Sequence, residues 1–551
     1  MSANLPEIPN RMKGIILALL VLLLWADPIA AQAQFTYTTN ADDTLTITGY
    51  SGPGGAVTIP TNSHGLTVTS IGNSAFASQA SLTKISIPGT ITTIGADAFE
   101  YCFDLTNAAI ATGTHSLGDS AFYYCWNLSS ALIPDSVTNI GTNAFSRCAR
   151  LTSVEIPLGI TSLGASTFAY CSGLTNVIIP ASVSSIGDFA FVDCTSLASV
   201  VVPDDVTNLG VAAFEGCTRL TTAPIPGNVL VIGSVAFFGC PGVTNIAIPP
   251  SVTNIGYSAF SECSRLVTIT VNPLNSFYGS VNGVLFDKTQ TKLVQYPSGA
   301  EGGSYTVPGG VTSVVPYSFA YCPYLTNVTI PASVNSIGPW AFNDSYGLEA
   351  ISVDAQNLSY SSVNGVLFDK NQITLVEFPP GISGSYAIPD GVTSIGNDAF
   401  MDCYKPTSIT IPASVTNIGD FAFYDCTGVA GVYFQGNPPM CGLYAYDFDD
   451  NATVYHLADS SGWSTTFANL PVALWNPVIQ TGNASFGLRN NQFGFNITGT
   501  TNIPIVVEAC TNLANPVWIP LQTLTLANGS FYFSEPFQTN TPARFYRISA
   551  P

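Results

Sequence analysis

The sequence predicts a β-rich α/β solenoid, in which short units stack in register, each giving a strand to a parallel sheet and a helical turn to cover it. Three observations carry this. Cysteines recur at a period of 23 residues, at Cys102, Cys125, Cys148, Cys171, Cys194, Cys217, Cys240 and Cys263. Phenylalanines keep the same period at Phe99, Phe122, Phe145, Phe168, Phe191, Phe214, Phe237 and Phe260; the series opens at Phe76 and resumes at Phe319, Phe342, Phe400 and Phe423, giving thirteen copies. Within each copy the apolar spacing changes from two to three or four, which marks a change of backbone conformation inside the unit.

The shared unit reads L-T-x-V-x-I-P-x-S-V-T-x-I-G-x-x-A-F-x-x-C, clearest over 151–171 and 174–194. Its L-x-x-V-x-I portion alternates before a proline, as a short strand with one buried face does. The portion V-x-x-I-G-x-x-A-F-x-x-C has the spacing of a helical or 3₁₀ turn. Twenty-three residues cannot enclose a core alone, so like residues must stack into inner columns. Val315 stands where the other copies have glycine. Either that rung deforms or the glycine is selected for size, since a valine at positive φ would be costly. Ala111 in place of the usual proline, and Ser345 and Gln79 in place of cysteine, read as tolerance rather than chemistry.

The spacing and the phrase I-P-x-S-V-T-x-I-G-x-x-A-F-x-x-C resemble the BspA-type leucine-rich repeats of bacterial surface proteins, over residues 66–434. The resemblance implies a leucine-rich repeat array with a parallel sheet. Two longer units, Tyr278 to Pro308 and Tyr360 to Pro389, share V-N-G-V-L-F-D-K and an aromatic-proline step, similar to a variant of that family. Each is expected to add a β-hairpin. Residues 34–65 read as an N-terminal cap protecting the sheet edge, and 435–477 as a closing cap and linker. Residues 478–551 carry short β segments between Gly, Asn and Pro and predict a small β-sandwich. This last part resembles a C-terminal module of exported Verrucomicrobia proteins.

Residues 1–33 read as an export signal: Arg11 and Lys13, the apolar run Gly14 to Trp25, then Ala31-Gln32-Ala33. The run is shorter than the roughly 20 residues a membrane span needs. No stable span is expected after cleavage, and Met12 is an alternative start. The 551 residues carry 14 Lys+Arg against 34 Asp+Glu, a net charge of −20. Nucleic-acid binding through phosphate neutralisation is thereby excluded. With 46% hydrophobic residues, disorder is excluded too.

No cofactor or metal is expected, and no catalytic residue. Stacked strands about 4.8 Å apart do not by distance forbid disulfides between neighbouring cysteines, but parallel inward side chains do not turn toward each other. The cysteines therefore read as a buried ladder of small apolar residues. His64, His115 and His456 build no recognisable triad, and the acids Asp447, Asp449 and Asp450 of D-F-D-D-N read as a solvated turn. The candidate partner-binding stripe is the outward strand position of the middle copies, Leu132, Ile178, Val201, Pro224 and Ala247, interrupted by Glu155; Tyr433 holds the same position in the last copy. A second ridge follows the phenylalanines, with Glu100, Tyr101, Tyr123, Tyr124, Tyr170, Phe238 and Tyr321. The expected function is an exported, non-catalytic scaffold binding a protein or glycan ligand at or outside the cell surface. The rivals are a secreted carbohydrate-active enzyme or its glycan-binding accessory, and a structural envelope component.

Overall fold

The computed structural model describes residues 34–447, 451–537 and 543–550. The expected export signal, and Asp449 and Asp450, lie outside them. The chain forms two compact units, one running to Cys263 with Thr270–Phe277, the other made of Ser264–Ile269 and the chain from Tyr278 onward.

In the first unit, the L-x-x-V-x-I segments form parallel strands offset by one repeat. Leu82–Ile87, Asn107–Ile110 and Ser130–Leu132 pair so that Ile85 faces Ala108 and Ala108 faces Ala131. Ser153–Glu155 and Asn176–Ile178 pair likewise, Val154 against Val177. Where the sequence suggested one sheet per solenoid, most rungs contribute to two. The T-x-I segments pair as well, Thr93–Ile94 with Ser116–Leu117 and that with Asn139–Ile140. A second ladder of this kind runs from Ser162–Leu163 to Asn254–Ile255.

The expected helical turns are absent: among the described residues there is no helix, so the class is β-solenoid rather than α/β. The reason lies in where the N–H groups point. In the turn around Phe99, the amides of Asp97, Phe99 and Tyr101 donate to Asp119, Ala121 and Tyr123 of the next rung at 2.8–2.9 Å. Only the alternate amides close the turn on itself, Glu100 to Asp97 and Cys102 to Phe99. Asp97 and Tyr101 sit at φ 55° and 57°, the left-handed region, which breaks any helix. A spacing of three and four arises here from stacked turns, so each rung's backbone is satisfied by its neighbour.

The phenylalanines form a continuous inner column. From Phe76 to Phe260 consecutive rings lie 4.9–6.1 Å apart and within 23° of parallel, and all are buried. Phe35 and Tyr50 finish its end, 6.1 and 5.1 Å from Phe76. They come from a hairpin, Phe35–Thr39 antiparallel to Leu45–Tyr50, which joins the ladder at Leu66–Ile71. The repeat glycine is a matter of size. A Cβ on Gly118 would lie 2.6 Å from Ala96 N, and one on Gly233 2.4 Å from Gly210 C, while neither has a positive φ. Val315 follows a hairpin segment rather than an ordinary rung, and there the space is wider: at the equivalent Gly396, after the second hairpin, a Cβ would come no nearer than 3.0 Å, to Leu375 O.

The second unit repeats this construction with the two hairpin extensions. Tyr278–Val281 pairs antiparallel with Val284–Asp287 and that with Lys292–Gln295, which then pairs in parallel with Ser313–Val314. Tyr360–Val363, Val366–Asp369 and Thr374–Glu377 do the same. The aromatic-proline step feeds the inner column: Tyr296 lies tilted 5.5 Å from Phe319, and Phe378 stacks 4.7 Å from Phe400. Tyr446 closes it, 4.7 Å from Phe423. Gly431–Phe434, Thr453–His456 and Leu470–Leu474 continue the parallel ladder. Beyond them two antiparallel sheets face each other, Gln492–Thr498 with Ser530–Pro536 in one, Pro504–Cys510 between Ile519–Thr525 and Phe545–Ser549 in the other. Their core of Phe495, Ile497, Ile505, Val507 and Phe533 is closed by Tyr433 and Tyr455.

Candidate interaction surfaces

The strand pleat decides which side chains reach solvent. Val154, Val177 and Val200 point inward, so Glu155, Ile178 and Val201 point outward from adjacent rungs, Ile178 paired with both neighbours. Leu132 is 75% exposed, Ile178 52% and Val201 81%. Ala247 is exposed and Pro224 half-buried. The rung at 221–226 forms no strand, since Pro224 and Pro226 have no N–H to give the ladder. The exposed apolar surface therefore centres on Leu132, Ile178 and Val201. Leu158, on the corner after Pro157 and 72% exposed, belongs to the exposed apolar set as well; corner positions vary between copies, so periodicity did not single it out.

The same outward position in the second unit has another fate. Thr410, Tyr433, Tyr455 and Ala473 lie side by side across the ladder. Tyr433, counted from sequence among the open-face residues, is 5% exposed because the C-terminal sandwich covers it. Its ring stacks on Tyr455 at 4.8 Å and meets Trp475 edge-on at 6.0 Å. Gly431 makes room: a Cβ there would stand 2.9 Å from the Tyr433 ring. Beside this contact opens a cleft of about 550 Å³, bordered by Thr410, Gln435, Trp475, Glu508 and Arg547. Arg547 Nε donates to Glu508 Oε2 at 2.6 Å on its rim.

The thirteen cysteines are free thiols. The ladder positions do more than fill space. Each Sγ from Cys102 to Cys263 donates to the backbone carbonyl of the phenylalanine one rung back, as Cys102 to Phe76 O at 3.1 Å and Cys194 to Phe168 O at 3.2 Å. The exceptions in the series keep the bond: Ser345 Oγ reaches Phe319 O at 2.5 Å, and Gln79 Nε2 reaches Tyr50 O at 3.1 Å. Ser345 and Gln79 therefore preserve a donor, which corrects their reading as mere tolerance. Burial pushes the thiols of Cys171, Cys217 and Cys263 up to about 12, which favours the protonated thiol over the thiolate at neutral pH.

His456 Nδ1 stands 2.9 Å from Leu457 O and 3.1 Å from Ser460 Oγ, with its ring stacked on Trp463. Ser460 gives its own proton to Leu457 O at 2.6 Å, which closes a turn. His64 Nδ1 meets Ser63 Oγ at 3.0 Å in the cap, and the backbone carbonyl of His115 accepts from Thr138 N. Among the described residues no three His, Cys, Asp or Glu side chains stand close enough to hold a metal ion.

Stacked turns, two parallel ladders and an inner aromatic column define a leucine-rich repeat solenoid with an appended β module. Residues 57–175, 161–283, 301–387 and 383–460 match the family model described as BspA type leucine rich repeat region (6 copies). The chain belongs to that family. It is similar to a leucine rich cell surface protein from Faecalibacterium prausnitzii, with 30% identity over 74% of this chain and 94% of that one, TM-score 0.43. A leucine-rich repeat protein from Bacteroides ovatus shows 27% identity over 77% and 98%, TM-score 0.48. One from Treponema pallidum shows 32% identity over 34% and 88%, TM-score 0.33. The comparison with curated proteins found no match.

Proposed function

We propose that the chain is an exported, non-catalytic scaffold that holds a protein partner on the outward stripe of its sheet, at Leu132, Ile178 and Val201. One observation carries this reading: in the second unit the same outward position, occupied by Tyr433 and Tyr455, is where a β module docks. Side chains at this position thus already pack against a second module within this chain, which supports reading the position as a docking surface. Burying an exposed Leu, Ile or Val contributes about 1.5–3 kcal/mol each before the cost of association. Membership in a family of bacterial repeat proteins, and similarity to a cell surface protein, support the location.

Ile178→Asp with Val201→Asp places two charges on the stripe. Capture of a surface-fraction protein by the purified chain should fall by roughly tenfold or more, the loss expected for a central apolar contact, with an unchanged melting temperature. Unchanged capture would remove the stripe as the site. Release of reducing ends from polysaccharides by the purified protein would overturn the non-catalytic part, and recovery of the chain only in the cytosol would overturn export.

A further inference from the structure

The turn ridge of the first unit bears a feature the stripe does not explain. The residue before each ladder cysteine holds a left-handed conformation, pinned by its N–H to the next rung. Gly216 and Gly239 meet this demand without strain, at φ 68° and 65°. Yet four consecutive rungs place Tyr101, Tyr124, Arg147 and Tyr170 there, at φ 57–64°, where bulky side chains are costly. These side chains form one surface column. The Arg147 guanidinium lies between two rings, its Cζ 5.3 Å from the centre of Tyr124 and 4.3 Å from that of Tyr170. Tyr101 stands 5.7 Å from Tyr124 on the other side, and Phe103 and Trp126 flank the pair at 5.9 and 6.2 Å. None of these rings is buried: Tyr101, Phe103, Trp126 and Tyr170 are 36–47% exposed.

We infer that this aromatic column is a binding site for a neutral polysaccharide chain, separate from the protein-binding stripe. The exposed apolar groups flanking Arg147 are all aromatic, with an apolar body that can lie against the C–H faces of sugars and, in the tyrosines, a hydroxyl that can meet theirs. Within the column the Arg147 guanidinium supplies donors and the tyrosine hydroxyls both donate and accept, which matches hydroxyls that do the same. Arg147 forms no ion pair among the described residues, so its N–H groups are free of a carboxylate. The net charge of −20 opposes a polyanion and selects for uncharged sugars.

Affinity electrophoresis of the full chain through gels containing hydroxyethylcellulose, laminarin or polygalacturonate tests this. Retardation is expected in at least one of the two neutral glucan gels and not in polygalacturonate. Trp126→Ala with Tyr101→Gly should weaken it by roughly tenfold or more. The melting temperature should hold or rise, because glycine suits the left-handed position. A merely structural role for Tyr101 would instead lower stability and leave retardation intact. No retardation by either neutral glucan, retardation confined to polygalacturonate, or retardation that survives the double substitution would each overturn the assignment.

Discussion

At the residue scale, the ladder cysteine serves as a short donor that fits between stacked turns. Its carbonyl target already accepts a backbone bond, as Phe168 O does from Cys171 N at 3.3 Å, so the thiol adds a second partner. Cys194→Ala should cost about 1–2 kcal/mol through the lost bond and the small cavity. Cys194→Ser should cost less, because Ser345 already supports the same bond by oxygen. Urea unfolding of the two variants checks the order; an alanine variant as stable as the serine one would show that the bond contributes nothing. The cysteine period was plain from sequence, but its donor role was not, since cysteine is usually read as a small apolar residue.

At the element scale, stacking turns in register also stacks whatever charge they carry. Burial pushes the Asp402 carboxyl up to about 6, with the carboxylates of Asp344 and Asp425 adding to the effect. The ordinary value is 3.8. Between these values the folded chain holds a proton that the unfolded chain has lost. Stability therefore falls as pH rises through this window, and the penalty is fully present above it. Asp402→Asn removes the charge and tolerates the φ of 56°. It should stabilise the protein by about 1–2 kcal/mol at pH 7, allowing for solvent screening, and by little at pH 4. Thermal unfolding across that range decides; equal stabilisation at both ends would refute the charge argument.

At the scale of the whole molecule, no rung has a core of its own. Phe191 is buried between Phe168 at 5.7 Å and Phe214 at 5.4 Å. Phe191→Ala should cost about 3–5 kcal/mol. In a stack held by nearest neighbours, the damage should stay local: hydrogen exchange should rise first in the rungs around 168–214 and less in those farther away. Uniform loss of protection would mean that the unit opens as one block. The column of the first unit is finished by a hairpin that lays Phe35 and Tyr50 on it, that of the second by Tyr446 with the strands that follow it.

What the sequence by itself determined was the period and the inner columns. Phe, Val, Ile and Gly recur at fixed offsets because each must meet its own copy one rung away, and that demand is written into every unit. The hairpin extensions and the β character of the last residues were legible for the same reason, as local patterns with local causes. Only the tertiary structure decided the rest. It replaced helical turns by stacked left-handed ones, because the amides there bond to the next rung, and a single chain segment does not display a partner that lies 23 residues away. It split the outward sheet position into an exposed stripe at Leu132, Ile178 and Val201 and a covered one at Tyr433 and Tyr455, since what shields a face comes from elsewhere in the chain.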